Sequence, residues 1–268
     1  MSFADLALSQ RLERTEGHAS SSFAEARRRA FPGCDAEWIE HAGTVAIFDG
    51  VDSPVTQSFG LGLFETLTVE ALEVIERFFR ARGASPIHEV SPFAGVAALS
   101  LLCSRQYRPI EISSVLYREV EKTPEEHQSS VCARLITPQE NQLWADISAG
   151  GWAQDNPELL ATVKQLGAVV SASEGSICFL GEADGQPGAA GVLRMHEGVA
   201  LLGGSATLPA FRRRGLQGAL LRERLRYAAD GGCDIAMMVA EAGSNSQRNA
   251  ERQGFRVAYT RIKWRLSA

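Results

Sequence analysis

The sequence predicts an α/β (α+β) protein made of two similar halves in tandem, and three observations carry that expectation. Short apolar runs of strand type alternate with helix-type periodicities along all 268 residues. The order helix, strand, helix, strand closes both halves, first over 72–120 and again over 216–266. Between the halves lies a polar stretch, Lys122 to Ser130, with Pro124, Glu125 and Glu126, and Glu121 just before it. That composition suits a linker. The expected domains are therefore 1–125 and 126–268.

Composition narrows the class. The chain is long for one domain and comfortable for two. Its 45% hydrophobic and 22% charged residues are those of a soluble globular protein. A net charge of −5 argues against general nucleic-acid binding, so the arginine cluster at 212–226 is a local feature. Cys34, Cys103, Cys132, Cys178 and Cys233 are scattered, with no metal-ligand spacing. They read as reduced thiols in a reducing compartment, with no metal site. Met1-Ser2-Phe3-Ala4-Asp5 has no basic segment leading into an apolar core, and no apolar run is long enough to cross a bilayer. The expectation is a cytoplasmic protein without membrane or nucleic-acid partners, as a monomer or homodimer.

In order along the chain, Asp5 to about Phe31 reads as helix and ends at Pro32-Gly33. Trp38 to Asp49 reads as one strand, and Ser53 to Leu63 as a second. Thr68 is an N-cap for a helix with Leu72, Ile75, Phe78 and Phe79 on one stripe, stopped by Gly83. Ile87–Val90 is a short strand, Val96–Cys103 a short helix and Arg108–Val120 a long strand. In the second half, Val131–Ile136 is a strand. Helices follow over Pro138–Ala149 and after Pro157. Ile177–Ala183 and Ala189–His196 form a hairpin around Asp184-Gly185. Ala200–Leu208 is a strand. The helix after it points Leu216, Leu220, Leu221, Leu225 and Ala228 inward and keeps Arg222, Arg226 and Asp230 wet. Gly231-Gly232 ends it. Cys233–Ala240 is an apolar strand buried on both faces, Ser244–Gln253 a helix, and Phe255–Leu266 the last strand.

The stretch from Leu208 to Leu221 is the candidate site. A strand runs into Pro209, then Arg212, Arg213, Arg214, Gly215, Leu216, Gln217, Gly218 and Ala219 open the helix. The unpaired N–H groups and the dipole of a helix start favour an anion. Gly215 and Gly218 carry no side chain that would hold a ligand off the backbone, and the arginines add charge-assisted donors.

This stretch resembles the acyl-CoA loop of the GCN5-related N-acetyltransferases, whose pattern is Arg/Gln-x-x-Gly-x-Gly/Ala. Arg212, Gly215 and Gln217 fall on the fixed positions. Gln217 departs from the usual small residue there, and Gly218 follows it. The resemblance covers roughly Ser130 to Ala268. It includes Asn249-Ala250-Glu251-Arg252-Gln253-Gly254-Phe255, where Gly-Phe after a short helix marks the family's second motif. The resemblance implies a mixed, mostly antiparallel twisted sheet flanked by helices, acetyl-CoA as cofactor and a small-molecule amine as acceptor. It also implies that Ala206, Thr207 and Leu208 offer backbone groups to pantetheine.

The two halves echo each other. Gln106-Tyr107-Arg108 sits where Gly254-Phe255-Arg256 sits, and Val115–Arg118 matches Ile262–Arg265. The first half's equivalent turn, Gly62 to Thr68, has no arginine and carries Glu65. A tandem is expected in which only the second half binds cofactor. The alternative is an accessory domain of another topology.

The family often places a Tyr four residues before the Gly-Phe glycine to protonate the leaving thiolate; here that position is Ala250. Ser246 and Asn249 are the candidate replacements, or else an N-cap and an ordinary helix residue. Glu241 is the candidate base, or else a solvated strand end. His196 reads as a surface histidine, and Trp144, Trp152 and Trp264 as core or cleft wall. Two function classes stand: an acetyl-CoA-dependent N-acetyltransferase and a non-catalytic acyl-CoA-binding sensor or interaction module. The absence of Gly-Lys-Ser/Thr after the glycines argues against a nucleotide loop.

Overall fold

The computed structural model of the protein describes residues 4–122, 130–152 and 157–267. Residues 123–129 of the expected linker, and the first three residues of the expected leaderless N-terminus, lie outside the described residues. The chain divides into two compact units, Met1–Arg118 with Met237–Ala268, and Glu119–Ala236. The break after 118 lies near the expected boundary at 125. The last 32 residues, by contrast, group with the first unit and not with 126–236.

The first unit opens with helix α1 (Leu6–Ala30), capped by the Asp5 carboxylate, which accepts from Leu8 N–H. Its inner face buries Leu8, Leu12, Phe23, Ala24 and Ala26. Trp38 to Asp49, expected as one strand, is a hairpin: β1 (Glu37–His41) and β2 (Thr44–Phe48) pair antiparallel. The turn is Ala42-Gly43 with φ of 49° and 70°. Both residues are left-handed, as a two-residue turn matching strand twist requires. Of the expected strand over 53–63, only β3 (Gln57–Phe59) forms. Thr68 caps α2 (Val69–Arg80), accepting from Ala71 N–H. Then follow β4 (Ile87–Val90), α3 (Gly95–Ser104) and β5 (Tyr107–Glu119).

The second unit holds β6 (Val131–Leu135), α4 (Asn141–Trp152), α5 (Leu160–Ala172), β7 (Ile177–Ala183), β8 (Gln186–His196), β9 (Val199–Thr207) and α6 (Leu216–Asp230). Its strands run β9-β8-β7-β6, all antiparallel. Asp184-Gly185 is the turn between β7 and β8, with φ of 53° and 74°. Trp144 is fully buried against Leu180, Ala190 and Val192. Its indole N–H reaches Phe179 O at 3.1 Å and Gly191 O at 3.2 Å.

The strand β10 (Ile235–Glu241) begins in the second unit and ends in the first. α7 (Asn245–Arg252) and β11 (Arg256–Leu266) complete the first unit. There β11 lies between β4 and β5, giving the order β1-β2-β3-β4-β11-β5 with β10 beside β5. It pairs antiparallel with both neighbours, from Arg256 opposite Tyr117 to Ile262 opposite Val90. This pairing is why 237–268 groups with the first unit. The core beneath it joins Leu72, Ile75, Phe78, Phe79, Leu102, Tyr107 and Trp264.

Candidate functional site

β9 reaches its end through a bulge. The pairing with β8 shifts register between Ala190 and Val192, and Gly204 sits at φ 57°. Behind the bulge lies Arg224 of α6, only 2% exposed. Its guanidinium donates to Val192 O and Gly203 O at 3.2 Å each, and to Leu220 O at 3.1 Å. Burial pulls the Arg224 pKa down to about 10. The sequence marks this arginine only as part of a basic run; the fold makes it a support for the irregular strand.

The end of β9 is closely approached by α4. A methyl on Gly151 would lie 2.7 Å from Ala206 Cβ, and one on Gly150 would lie 2.8 Å from Leu208. These two helix glycines, unmarked in the sequence, are what let the helix reach Ala206–Leu208. Trp152, next in line, is 60% exposed.

After Thr207 a single 3₁₀ turn, Pro209–Phe211, leads to the arginines. Arg213 adopts φ 61° and Gly215 φ 89°. Such strained, alternating backbone is characteristic of loops that present N–H groups to an anion. Gly215 is the N-cap of α6 and makes no side-chain cap bond. The first backbone bond of the helix is Ala219 N–H to Gly215 O, so the N–H groups of Leu216, Gln217 and Gly218 have no intrahelical acceptor. Gln217, the departure from the family pattern, turns its amide to Thr207 Oγ1 at 2.6 Å and clasps the strand end.

The three arginines differ. Arg212 donates to Thr207 O at 3.4 Å. Arg214 is paired with Asp184 at 2.6 Å and lies over the Phe211 ring at 5.3 Å. Arg213 is exposed, with no partner among the described residues. The structure thus brings Ala206 to Ala219 together within one unit.

Glu241, Ser246 and Asn249 belong to the other unit, and all three are exposed. The N-cap of α7 is Ser244, which accepts from Gln247 N–H at 3.2 Å, and not Ser246. Asn249 accepts from Arg252 at 3.3 Å. Ala250, at the position where the family often has a Tyr, is 4% exposed. Trp264 is core, as Trp144 is.

A second polar chain, absent from the sequence reading, runs Ser58–His88–Tyr107–Glu76–Arg105. Ser58 Oγ lies 2.7 Å from His88 Nδ1, and Nε2 lies 3.0 Å from the Tyr107 hydroxyl. Tyr107 donates to Glu76 at 3.2 Å, and Arg105 reaches Glu76 at 2.6 Å. Ser58, His88 and Glu76 are fully buried, so this Ser–His pair has no access to substrate and is structural. Among the described residues, no cluster of three or more metal-ligating side chains occurs.

Residues 138–255 match the family model "Acetyltransferase (GNAT) family". The match spans less than half of the 268-residue chain. It contains the loop from Ala206 to Ala219 and runs through Gly254-Phe255. The GNAT likeness extends to the fold of the chain. A GCN5-related N-acetyltransferase from Kribbella flavida has a TM-score of 0.63 at 18% identity, over 94% of this chain and 95% of that one. One from Sphaerobacter thermophilus has 0.54 at 16% identity, over 86% and 75%. A tandem GNAT protein from the clavulanic acid biosynthesis pathway has 0.54 at 11% identity, over 74% and 70%. The mixed, mostly antiparallel sheet flanked by helices is thus a GNAT-type fold. No curated protein sequence matches the chain significantly.

Proposed function

We propose that the protein is an acetyl-CoA-dependent N-acetyltransferase acting on a small amine, with its cofactor on the α6 loop. The observation that carries this is the uncapped, glycine-started N-terminus of α6 directly after β9, inside the GNAT segment. The residues present fit the diphosphate of CoA. Open N–H groups at 216–218, the unpaired Arg213 and the lightly held Arg212 supply donors. Arg214, tied to Asp184, acts by holding the loop. Bound acetyl-CoA would supply the thioester acyl group. Ala206, Thr207 and Leu208 would position it through their backbone, and an N–H there would polarise a carbonyl. Glu241 is our candidate to take the amine proton, and Ser246, Asn249 or water to return one.

We assign no cofactor to the first half. Its equivalent helix α2 is capped by its own Thr68 side chain and has Glu70 in the first turn. Phe64 fills the turn: a methyl on Gly43 would lie 2.4 Å from it, and Arg14 lies over its ring at 4.5 Å. Gln10 of α1 occupies Leu63 O at 2.9 Å. One CoA per chain is expected. We place the protein in the cytoplasm, which its five free cysteines support.

Calorimetry with CoA tests the reading. Gly215 is a poor position to probe, because φ 89° strains any other residue. At Gly218 an added Cβ would meet only the flexible end of Arg222, at 3.4 Å. Gly218→Leu should keep the unfolding midpoint yet weaken CoA by at least about tenfold, ~1.4 kcal/mol. Wild-type protein that binds no CoA, or a Gly218→Leu protein that binds it normally, overturns the assignment. Turnover of acetyl-CoA with a panel of amines separates the enzyme from a binding module. Loss of single-turnover transfer with intact CoA binding in Ser246→Ala, Asn249→Ala or Glu241→Gln would identify the proton-handling group.

A further inference from the structure

The face of β11 in the first unit carries three cations at alternate positions, Arg261, Lys263 and Arg265, which a strand points the same way. Each row beside them is filled differently. Arg261, 2% exposed, is ringed by Glu13 at 3.2 Å, Glu89 at 3.0 Å and Glu16. Lys263 lies between Glu89 at 3.2 Å and Glu111 at 2.7 Å, one on each neighbouring strand. Arg265 faces Ile87 on β4 and Arg108 on β5. It has no carboxylate or other partner among the described residues.

At this unfilled row the unit has a cavity of about 420 Å³. That size falls in the range of roughly 300–1,000 Å³ typical of small-molecule sites. Its lining includes Arg265 and Lys263 from β11, Glu111 from β5, and Asp52, Gln57 and Ser85. Asp52, exposed on the loop after β2, is likewise without a partner among the described residues, as are the side chains of Gln57 and Ser85. The lining therefore presents one uncommitted cation, one uncommitted carboxylate and uncommitted hydrogen-bonding groups. Lys263 and Glu111 already satisfy each other.

We propose that this cavity is a binding site for a small zwitterion of the amino-acid class, its carboxylate on Arg265 and its ammonium on Asp52. The guanidinium fork matches a carboxylate in two parallel hydrogen bonds. Such a ligand completes the third row as Glu89 and Glu111 complete the second. Complementary charges at both ends fix its orientation and reject molecules with one charge. All of its lining residues belong to the first unit, and the proposal does not depend on the acetyltransferase reading.

Saturation-transfer NMR of the full chain with each of the twenty protein amino acids, at millimolar concentration, tests this. At least one should bind. Its decarboxylated amine and its deaminated acid should each bind at least about tenfold more weakly, ~1.4 kcal/mol. Arg265→Gln and Asp52→Asn should each weaken binding to a similar degree. Both positions are exposed, so the variants should unfold at the wild-type temperature. Arg108→Gln, on the next strand and outside the cavity lining, should bind as wild type. Binding that survives unchanged in Arg265→Gln lies elsewhere and overturns the proposal, as does an absence of binding by all twenty. A deaminated acid that binds as well as its amino acid overturns the zwitterion.

Discussion

At the scale of single residues, two buried groups set opposite pH dependences in the first unit. Glu13, 1% exposed, accepts from Tyr259 at 2.8 Å, and its second oxygen has no hydrogen-bond partner. Burial drives its pKa up to about 7 from 4.5, against the pull of Arg261 and with the push of Glu16. The native state therefore favours the protonated acid. Its stabilisation is complete below 4.5 and is lost as pH rises through about 7, with a slope of at most ~1.4 kcal/mol per pH unit for one proton. Glu13→Gln removes that titration, so wild type should lose stability relative to the variant across this window. Parallel denaturation curves at each pH would refute the assignment. His88 works the other way. Burial lowers its pKa from 6.5 to about 3, against the charge of Glu76. The neutral ring contributes stability above 6.5 that is lost as pH falls towards 3. Its imidazole nitrogens should show neutral chemical shifts by NMR at pH 5, and a charged ring there would contradict the burial argument. Neither group announces itself in sequence, because a lone Glu on a helix and a lone His on a short strand give no sign of being enclosed.

At the scale of elements, the loop before α6 is set by a contact outside its own sequence. Leu208 N–H donates to Gly188 O on β8 at 2.9 Å. A methyl on Gly188 would lie 2.1 Å from the Phe211 ring, which carries Arg214 above it. Gly188→Ala should push Phe211 and Arg214 aside. We expect CoA affinity to drop by about tenfold or more, ~1.4 kcal/mol, with little change in far-UV circular dichroism. Normal affinity in calorimetry would show that the loop does not depend on this packing. Helix starts and stops were legible because they are local. Thr68 caps within three residues of its own position, whereas the cap of α7 is Ser244 and not Ser246, and Gly83, Gly232 and Gly254 take the positive φ that ends a helix. The β1–β2 hairpin was not legible as a hairpin, because Ala42 in a left-handed turn breaks the usual Asn-Gly signal.

At the scale of the whole molecule, the last 32 residues belong to the first unit. β11 supplies Trp264 to that unit's core, and Arg261 and Lys263 to its ion pairs with Glu89. A chain ended before Arg256 should leave β4 and β5 without their shared neighbour. We expect it to lose the cooperative unfolding transition of the first unit. A fragment of 126–268 should likewise fail to give a stable domain, since its final strand lacks its partners. A native-like, cooperative 126–268 fragment would show that the halves fold independently. The sequence by itself determined the order of elements after Thr68, the repeat of helix–strand–helix–strand, and the Arg–Gly loop within the segment that matches the GNAT family model. These follow from periodicity, capping and glycine, each acting over a few residues. Only the tertiary structure decided where β11 inserts, that Arg224 holds the bulge of β9, and that Arg265 stands alone among the cations of its strand. Strand pairing and burial depend on residues more than a hundred positions apart along the chain, such as Glu13 and Arg261, and no local pattern specifies which distant partners will meet.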